Sequence, residues 1–450
     1  MTLTAKEPSA ATPPGAASPG TDPVTTQGGP GQLVKLGVAL AAITAVFLAA
    51  GLGDLLLFIV ILVIIVMLHE LGHFATAKWS GMKVTEFFVG FGPRLWSFRQ
   101  GETEYGFKAI PAGGYVKITG FTVLENVAEE DEPRAYRQAP FWKRIVVGSA
   151  GSAMHFVMAI VLALIAALTF GVPSNTAKIA GLDHWVGIAR TPAQSAGLAV
   201  GDVVLAVNGK PLDGVNALIA VIGRSTGKPV SLRVERDGSV RTVTVVPHDG
   251  RGVKLKGDGG GVLAPADAKT PKGYIGVELS QPVASASPWG ALTNAFSTVG
   301  SYTSAEVSGL VRTFSASGIS SIVHQVTNSS AATKAADNPS TSVRPVSLVG
   351  ITSLGVQAQK AGLYALLQLL ILINIIFGML NMLPMLPLDG GHVSVAVYEW
   401  IRTRKGAPYY RADITKMFPV VFVFLSFLAV FVFAGVFLDI THPIQNVFGP

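Results

Sequence analysis

The sequence predicts an α-helical polytopic membrane protein with a β-hairpin region between its spans and one α+β domain outside the membrane. Half of its 450 residues are apolar and only 14% are charged, against about a quarter in an ordinary soluble domain. The mean hydropathy is +0.49. Apolar runs occupy 34–52, 55–68, 145–170, 363–388 and 417–438. Most of them, alone or with flanking residues, reach the roughly 20 helical residues that cross a hydrocarbon core. Residues 171–362 separate the third run from the fourth and are long enough for a folded domain with linkers.

Residues 1–32 are rich in Pro, Gly, Ala, Ser and Thr and have no apolar period, so they read as a disordered tail. They lack the charged start and early apolar core of a signal peptide. An extra transmembrane helix is expected at 33–53, then a first core helix at 54–79. Only Gly53 and Asp54 separate the two runs, which favours a tight helical hairpin; an interfacial helix at 34–50 is the alternative. Over 80–144, Val84 to Val89 and Tyr105 to Ile110 show period-2 patterning punctuated by Gly90, Gly92, Pro93, Gly113 and Gly114, the mark of short hairpins. The second core helix is placed at 145–171, a third at 363–398 and a fourth at 417–438. Of the intervening chain, 180–250 reads as a domain and 251–362 as linker and juxtamembrane segment. Within that segment 249–272 is Gly-rich, and 313–342, rich in Ser, Ala and Thr, reads as flexible.

The chain carries 34 Lys and Arg against 27 Asp and Glu, a net charge of +7, but the basic residues are scattered singly, without the stripe that binds nucleic acid. With no cysteine, disulfides, thiolate metal sites and cysteine nucleophiles are excluded, so any metal must use His and carboxylate. Arg402, Arg404, Lys405 and Arg411 before the last run, and Lys78, Lys83, Lys143 and Arg144 beside the earlier ones, place those loops in the cytoplasm. The 180–250 domain is then extracytoplasmic.

An ionisable side chain at membrane depth is costly and usually functional. In and beside the apolar runs these are His69, Glu70, His73, His155, Asp389 and His392. His69 and His73, four apart, share one helix face and can present two imidazoles to one zinc ion. Glu70 points to the adjoining face, where it can take a proton from an activated water. Burying three polar groups without partners in a run as apolar as Leu55 to Leu68 would cost several kcal/mol. Asp389 is the other carboxylate, in Asn381-Met-Leu-Pro-Met-Leu-Pro-Leu-Asp389-Gly-Gly, where two prolines and two glycines break the helix. Two His and one Asp leave a fourth position open, as hydrolytic zinc requires.

HELGH at 69–73 together with NMLPMLPLDGG at 381–391, both in apolar runs, resembles the site-2 protease family of intramembrane zinc metalloproteases, over about 55–440. GFGP at 90–93 and PAGGYVK at 111–117 look like that family's Gly-x-Gly-Pro element and membrane-associated hairpin. The wording GMKVTEFFVGFGPRLW at 81–96 with RQGETEYG at 99–106 is similar to its actinobacterial branch. The resemblance implies a four-helix catalytic core, one Zn2+ held by His69, His73 and Asp389, and Glu70 as catalytic base. It also implies that Asn381, with Gly113, Gly114 and Tyr115 of the hairpin, supports substrate near the metal. The chain departs from the family's Ala-Gly-Pro-x-x-Asn at Ala150-Gly-Ser-Ala-Met-His155; His155 reads as an interhelical polar contact or as an adventitious ligand. His392 reads as a neighbour of the metal site.

VGIARTPAQSAGLAVGDVVLAVNGKPL, 186–212, with alternating strands at 230–236 and 240–246, resembles a PDZ domain of the bacterial protease type. Such domains add a peptide strand to a sheet edge and often capture a free carboxyl end; a size filter over the active site is the equal alternative. The implied substrates are single-span membrane proteins such as anti-sigma factors, already shortened by another protease, or remnant signal peptides. A catalytically silent PDZ scaffold and a metal transporter are the rival readings. The first leaves Glu70 and Asp389 unexplained, and the second would show repeated polar sites and internal symmetry.

Overall fold

Helix α1 runs Pro30–Ala49 and α2 Gly53–Trp79, joined through Gly51 at φ +71°. The computed structural model describes residues 30–122, 125–255, 263–264, 268–337, 342–403, 410–445 and 447–448. The tail over 1–29, Arg404 and Lys405, and much of the Gly-rich stretch lie outside the described residues. In α2 the apolar run continues unbroken through His69, with Asp54 in its first turn and Lys78 in its last, the signs that suit the helix dipole. Gly81, at φ +81°, stops it.

A hairpin follows: β1, Val84–Gln100, turns at Gly101 into β2, Thr103–Ile118. The period-2 pattern predicts short hairpins; the structure has two long strands that bend on themselves. Gly90 and Gly92, both with φ above +80°, supply the bend in β1. As a result Glu86 to Val89 has partners on both sides, Glu104 to Phe107 and Gly114 to Lys117. The stretch 114–118 is thus an outer edge.

Helix α3, Phe141–Phe170, leads into an antiparallel sheet of β3 Ala177–Leu182, β4 Val203–Val207, β5 Val230–Arg236, β6 Ser239–Val245 and β7 Val277–Ser280, with α4, Gly214–Arg224, against it. The strand order is β7-β3-β4-β5-β6. Val230, Leu232 and Val234 face a core shared with Ile179, Val204, Leu218, Ile222 and Ile275. The sheet therefore takes in residues well past 250, because Ile275 and β7 fill space that the earlier strands leave open.

The chain from 288 to 361, expected to be linker and partly flexible, is mostly helical. It forms α5 Pro288–Thr313, α6 Ala316–Thr327, α7 Ser329–Asp337 and α8 Leu348–Ala361. Its Ser and Thr hydroxyls turn inward on their own helices, as in Ser301 to Ser297 O, Thr303 to Val299 O and Ser308 to Ser304 O. They satisfy themselves without leaving the helix, and buried Ala332, Ala335 and Ala336 add the best helix former.

Beyond Gly362 comes α9, Leu363–Asn381. The third core helix, expected as one piece over 363–398, is two, because the prolines and glycines end α9 and α10 starts afresh over Asp389–Arg402. The last helix is α11, Phe418–Thr441. Among the described residues four helical segments are long and apolar enough to cross a membrane: Gly53–Trp79, Phe141–Phe170, Leu363–Asn381 and Thr415–Thr441. The apolar part of α1, Leu33–Ala49, is shorter.

Two compact units partition the chain. One comprises 1–155, 316–360 and 377–449, and the other 156–315 with 361–376. In the first, Arg144 pairs with Glu399 at 2.5 Å, both side chains 5% exposed. There too Arg344 meets Asp439 at 3.1 Å while Ser347 donates to the same carboxylate through N and Oγ. These buried pairs tie α3 to α10 and the start of α8 to α11.

Candidate metal and catalytic site

The site lies wholly in the first unit and begins with how closely α2 and α3 approach. A Cβ on Gly72 would stand 2.7 Å from the Ala150 carbonyl oxygen, so the two backbones touch, as small residues allow in membranes. That contact brings Gly151 against the imidazoles of His69 and His73. A Cβ there would overlap the Nε2 atoms of both rings; the missing side chain is the space in which those nitrogens converge.

His73 donates from Nδ1 to the Val147 carbonyl at 2.7 Å, which in the neutral ring leaves Nε2 with its lone pair. Asp389 opens α10, where the chain has folded back so tightly that a Cβ on Gly391 would stand 2.5 Å from the Leu386 nitrogen. Its Oδ2 lies 3.2 Å from His73 Nε2 and 3.6 Å from His69 Nε2. A tetrahedral zinc ion with bonds of about 2.0–2.1 Å has ligand-to-ligand edges of about 3.3 Å. Two imidazole nitrogens and a carboxylate oxygen, all within 4.8 Å of one another, therefore suit zinc in donor type and spacing. His69, His73 and Asp389 could hold it.

Glu70 leaves the helix beside this trio, and its Oε2 accepts the Val116 N–H at 3.0 Å. The edge of β2 thus orients the carboxylate. Next to that edge is a cavity of about 410 Å³ lined by Tyr115, Val116, Lys117, Ile118, Phe121, Thr122 and Glu125. Phe121 bridges it to the metal trio, its ring 6.2 Å from His73 and 4.2 Å from His392.

Gly113, at φ +126°, and Gly114 let β2 pass close to α2, since a Cβ on Gly113 would stand 3.6 Å from Val66 and one on Gly114 would meet Met67. Tyr115 stacks between Phe88 and Phe91 and donates to Glu86. Asn381 ends α9 and is half-buried. His155 is 2% exposed, its ring 4.9 Å from His69 and 5.8 Å from Phe377; it stands outside the trio, as does His392. Ser152, whose Oγ donates to Asp389 Oδ2 at 3.4 Å, Gly151 and the Val116 amide were not picked out from sequence. Only the small-residue spacing of Gly72 and Gly151 could have flagged one of them.

The family model described as Peptidase family M50 matches residues 57–426. The zinc metalloprotease Rip1 of Mycobacterium tuberculosis strain H37Rv is 32% identical over 415 residues, covering 87% of this chain and 98% of its own. Rip1 of Mycolicibacterium smegmatis is 32% identical over 424 residues, 88% and 98%. A putative zinc metalloprotease of Rhizobium meliloti, R01501, is 26% identical over 364 residues, 78% and 88%.

Proposed function

Because this chain belongs to peptidase family M50, and is a zinc metalloprotease of the membrane, we propose that it cuts the transmembrane helices of single-span proteins with Glu70 as base and His69, His73 and Asp389 as zinc ligands. The observation that carries this reading is the Glu70 carboxylate, held by the Val116 amide beside the His, His and Asp cluster. A scaffold would have no use for an oriented carboxylate there. Zinc, when bound, lowers the pKa of water and polarises the peptide carbonyl. Glu70 receives the proton of the attacking water and returns it to the leaving amine. Ser152 and the Val147 carbonyl fix Asp389 and the His73 ring, and Tyr115 with Asn381 supports the partly unwound substrate strand.

The substrates we assign are membrane-anchored regulators such as anti-sigma factors, shortened beforehand by another protease, or remnant signal peptides. The sheet domain built on 180–250 and continued through β7 is read as an extracytoplasmic PDZ domain, with the catalytic trio toward the cytoplasmic side of the bacterial membrane. Coexpression with the host's single-span anti-sigma factors tests the core of the proposal. Glu70→Gln should keep zinc and lose cleavage by about two to four orders of magnitude. Undiminished cleavage would overturn the mechanism.

A further inference from the structure

Helix α5 has three faces where a surface helix has two. At 100° per residue, Ala291, Ala295 and Val299 share one sector and are buried, with Tyr302 beside them. Trp289, Phe296, Val307 and Val311 fall within about 60° of one another on a second sector, and they are 73%, 56%, 48% and 70% exposed. Between them lie Thr293 and Gly300, and no charge. Ser297, Ser301, Ser308 and Arg312, also exposed, make a third sector. An uncharged stripe opened by a tryptophan and flanked by serines is what an interfacial helix presents to a bilayer.

The depth of α5 is set by one hydrogen bond. The Tyr302 hydroxyl donates to Gln368 Oε1 at 2.7 Å. Gln368 is on α9, whose 19 residues give about 28 Å of helix, barely the ~30 Å of a hydrocarbon core. Leu363 must then sit at one boundary, and Gln368, five residues on, about 8 Å inside it. A glutamine amide there needs a protein partner, and Tyr302 is that partner.

We infer that α5 lies in the membrane boundary, with the Trp289, Phe296, Val307 and Val311 stripe immersed among lipid acyl chains and the serine face turned to water. The stripe lies far round the helix from Tyr302, the residue that bonds α9, and at that depth lipid is what it meets. The helix follows β7 after a short connection, so it moors the sheet domain to the bilayer surface.

The native chain has no cysteine, so single cysteines report cleanly. Full-length protein carrying one cysteine at Phe296, Val307, Val311, Ser297, Ser301 or Ser308 is labelled with a polarity-sensitive fluorophore in phosphatidylcholine and phosphatidylglycerol vesicles. The three stripe positions should emit blue-shifted light and lose intensity to doxyl-labelled lipids, while the three serine positions lose it to aqueous iodide. All six side chains are exposed and three sample each face, so failure of one variant leaves the comparison standing. Iodide quenching of both faces overturns the inference. So does a stripe shielded from both quenchers, which would mean that a second protein covers it.

Discussion

Losing Asp389 and losing Glu70 have different consequences. On the proposed assignment Asp389→Ala removes a ligand, so zinc content should fall together with activity, whereas the Glu70 variant should keep its metal. Gly151→Ala makes a sharper test of the site's geometry. The added methyl would occupy the space between His69 Nε2 and His73 Nε2, and overpacking of this kind costs about 1–3 kcal/mol. Elemental analysis should find zinc depleted in Gly151→Ala although no ligand has changed. Full occupancy would show that the metal sits elsewhere than between these nitrogens.

The hairpin depends on a clasp at its turn. Glu102 is met by Lys78 at 2.7 Å and by Arg134 at 2.6 Å. The Arg134 guanidinium, aided by Lys78 and opposed by partial burial, holds the carboxyl down at about 2. Such a depressed group stabilises fully above the ordinary glutamate range near 4.3 and loses its contribution as pH falls from there toward 2. Limited proteolysis in detergent should therefore find the 100–103 turn protected at pH 5–7 and progressively cut as pH falls from about 4 toward 2, where the clasp protonates. Glu102→Gln should be cut at neutral pH, and a pH-independent pattern in both proteins would exclude the clasp. Apolar run length made α2, α3, α9 and α11 legible, because spanning lipid leaves one solution. The HELGH spacing and the carboxylate after two prolines made the trio legible, because side chains at 69 and 73 must share a face. The helices within 313–342 are illegible because Ser and Thr count as loop formers, and nothing in the composition shows that hydroxyls such as those of Thr327 and Thr333 bond back to their own helix carbonyls. The Val116 contact to Glu70 was illegible because it joins residues 46 apart through a backbone amide, which has no sequence signature.

Orientation of the whole chain is open to direct measurement. In the hairpin turn Thr103 is buried and donates to the Val84 carbonyl, whereas Gln100 is exposed and takes a label. Single cysteines at Gln100 and Ser239 should react with an impermeant reagent from opposite sides of the membrane. Labelling from the same side would reverse our placement of the sheet domain. If that domain acts as a filter, deleting 180–250 together with its continuation through β7 should let the enzyme cut a substrate that still carries its bulky external part. If it recruits a free carboxyl end, the deletion should instead slow cleavage of the shortened substrate. Unchanged discrimination between the two substrates rejects the filter.

Gly72, Gly151, Gly390 and Gly391 leave no side-chain volume to exchange where helix meets helix and where α10 folds back on the preceding chain. At each, even one methyl would meet backbone or a ligand ring. Enzymes often change preference by trading large residues for small ones around the reacting atoms, and at these four positions that route is closed. The open side offers another, through Tyr115, Lys117, Phe121, Thr122 and Glu125 around the 410 Å³ cavity. Directed evolution confined to those five positions should yield altered cleavage preferences in stable proteins, while libraries at the glycines should return mainly unfolded or metal-poor ones.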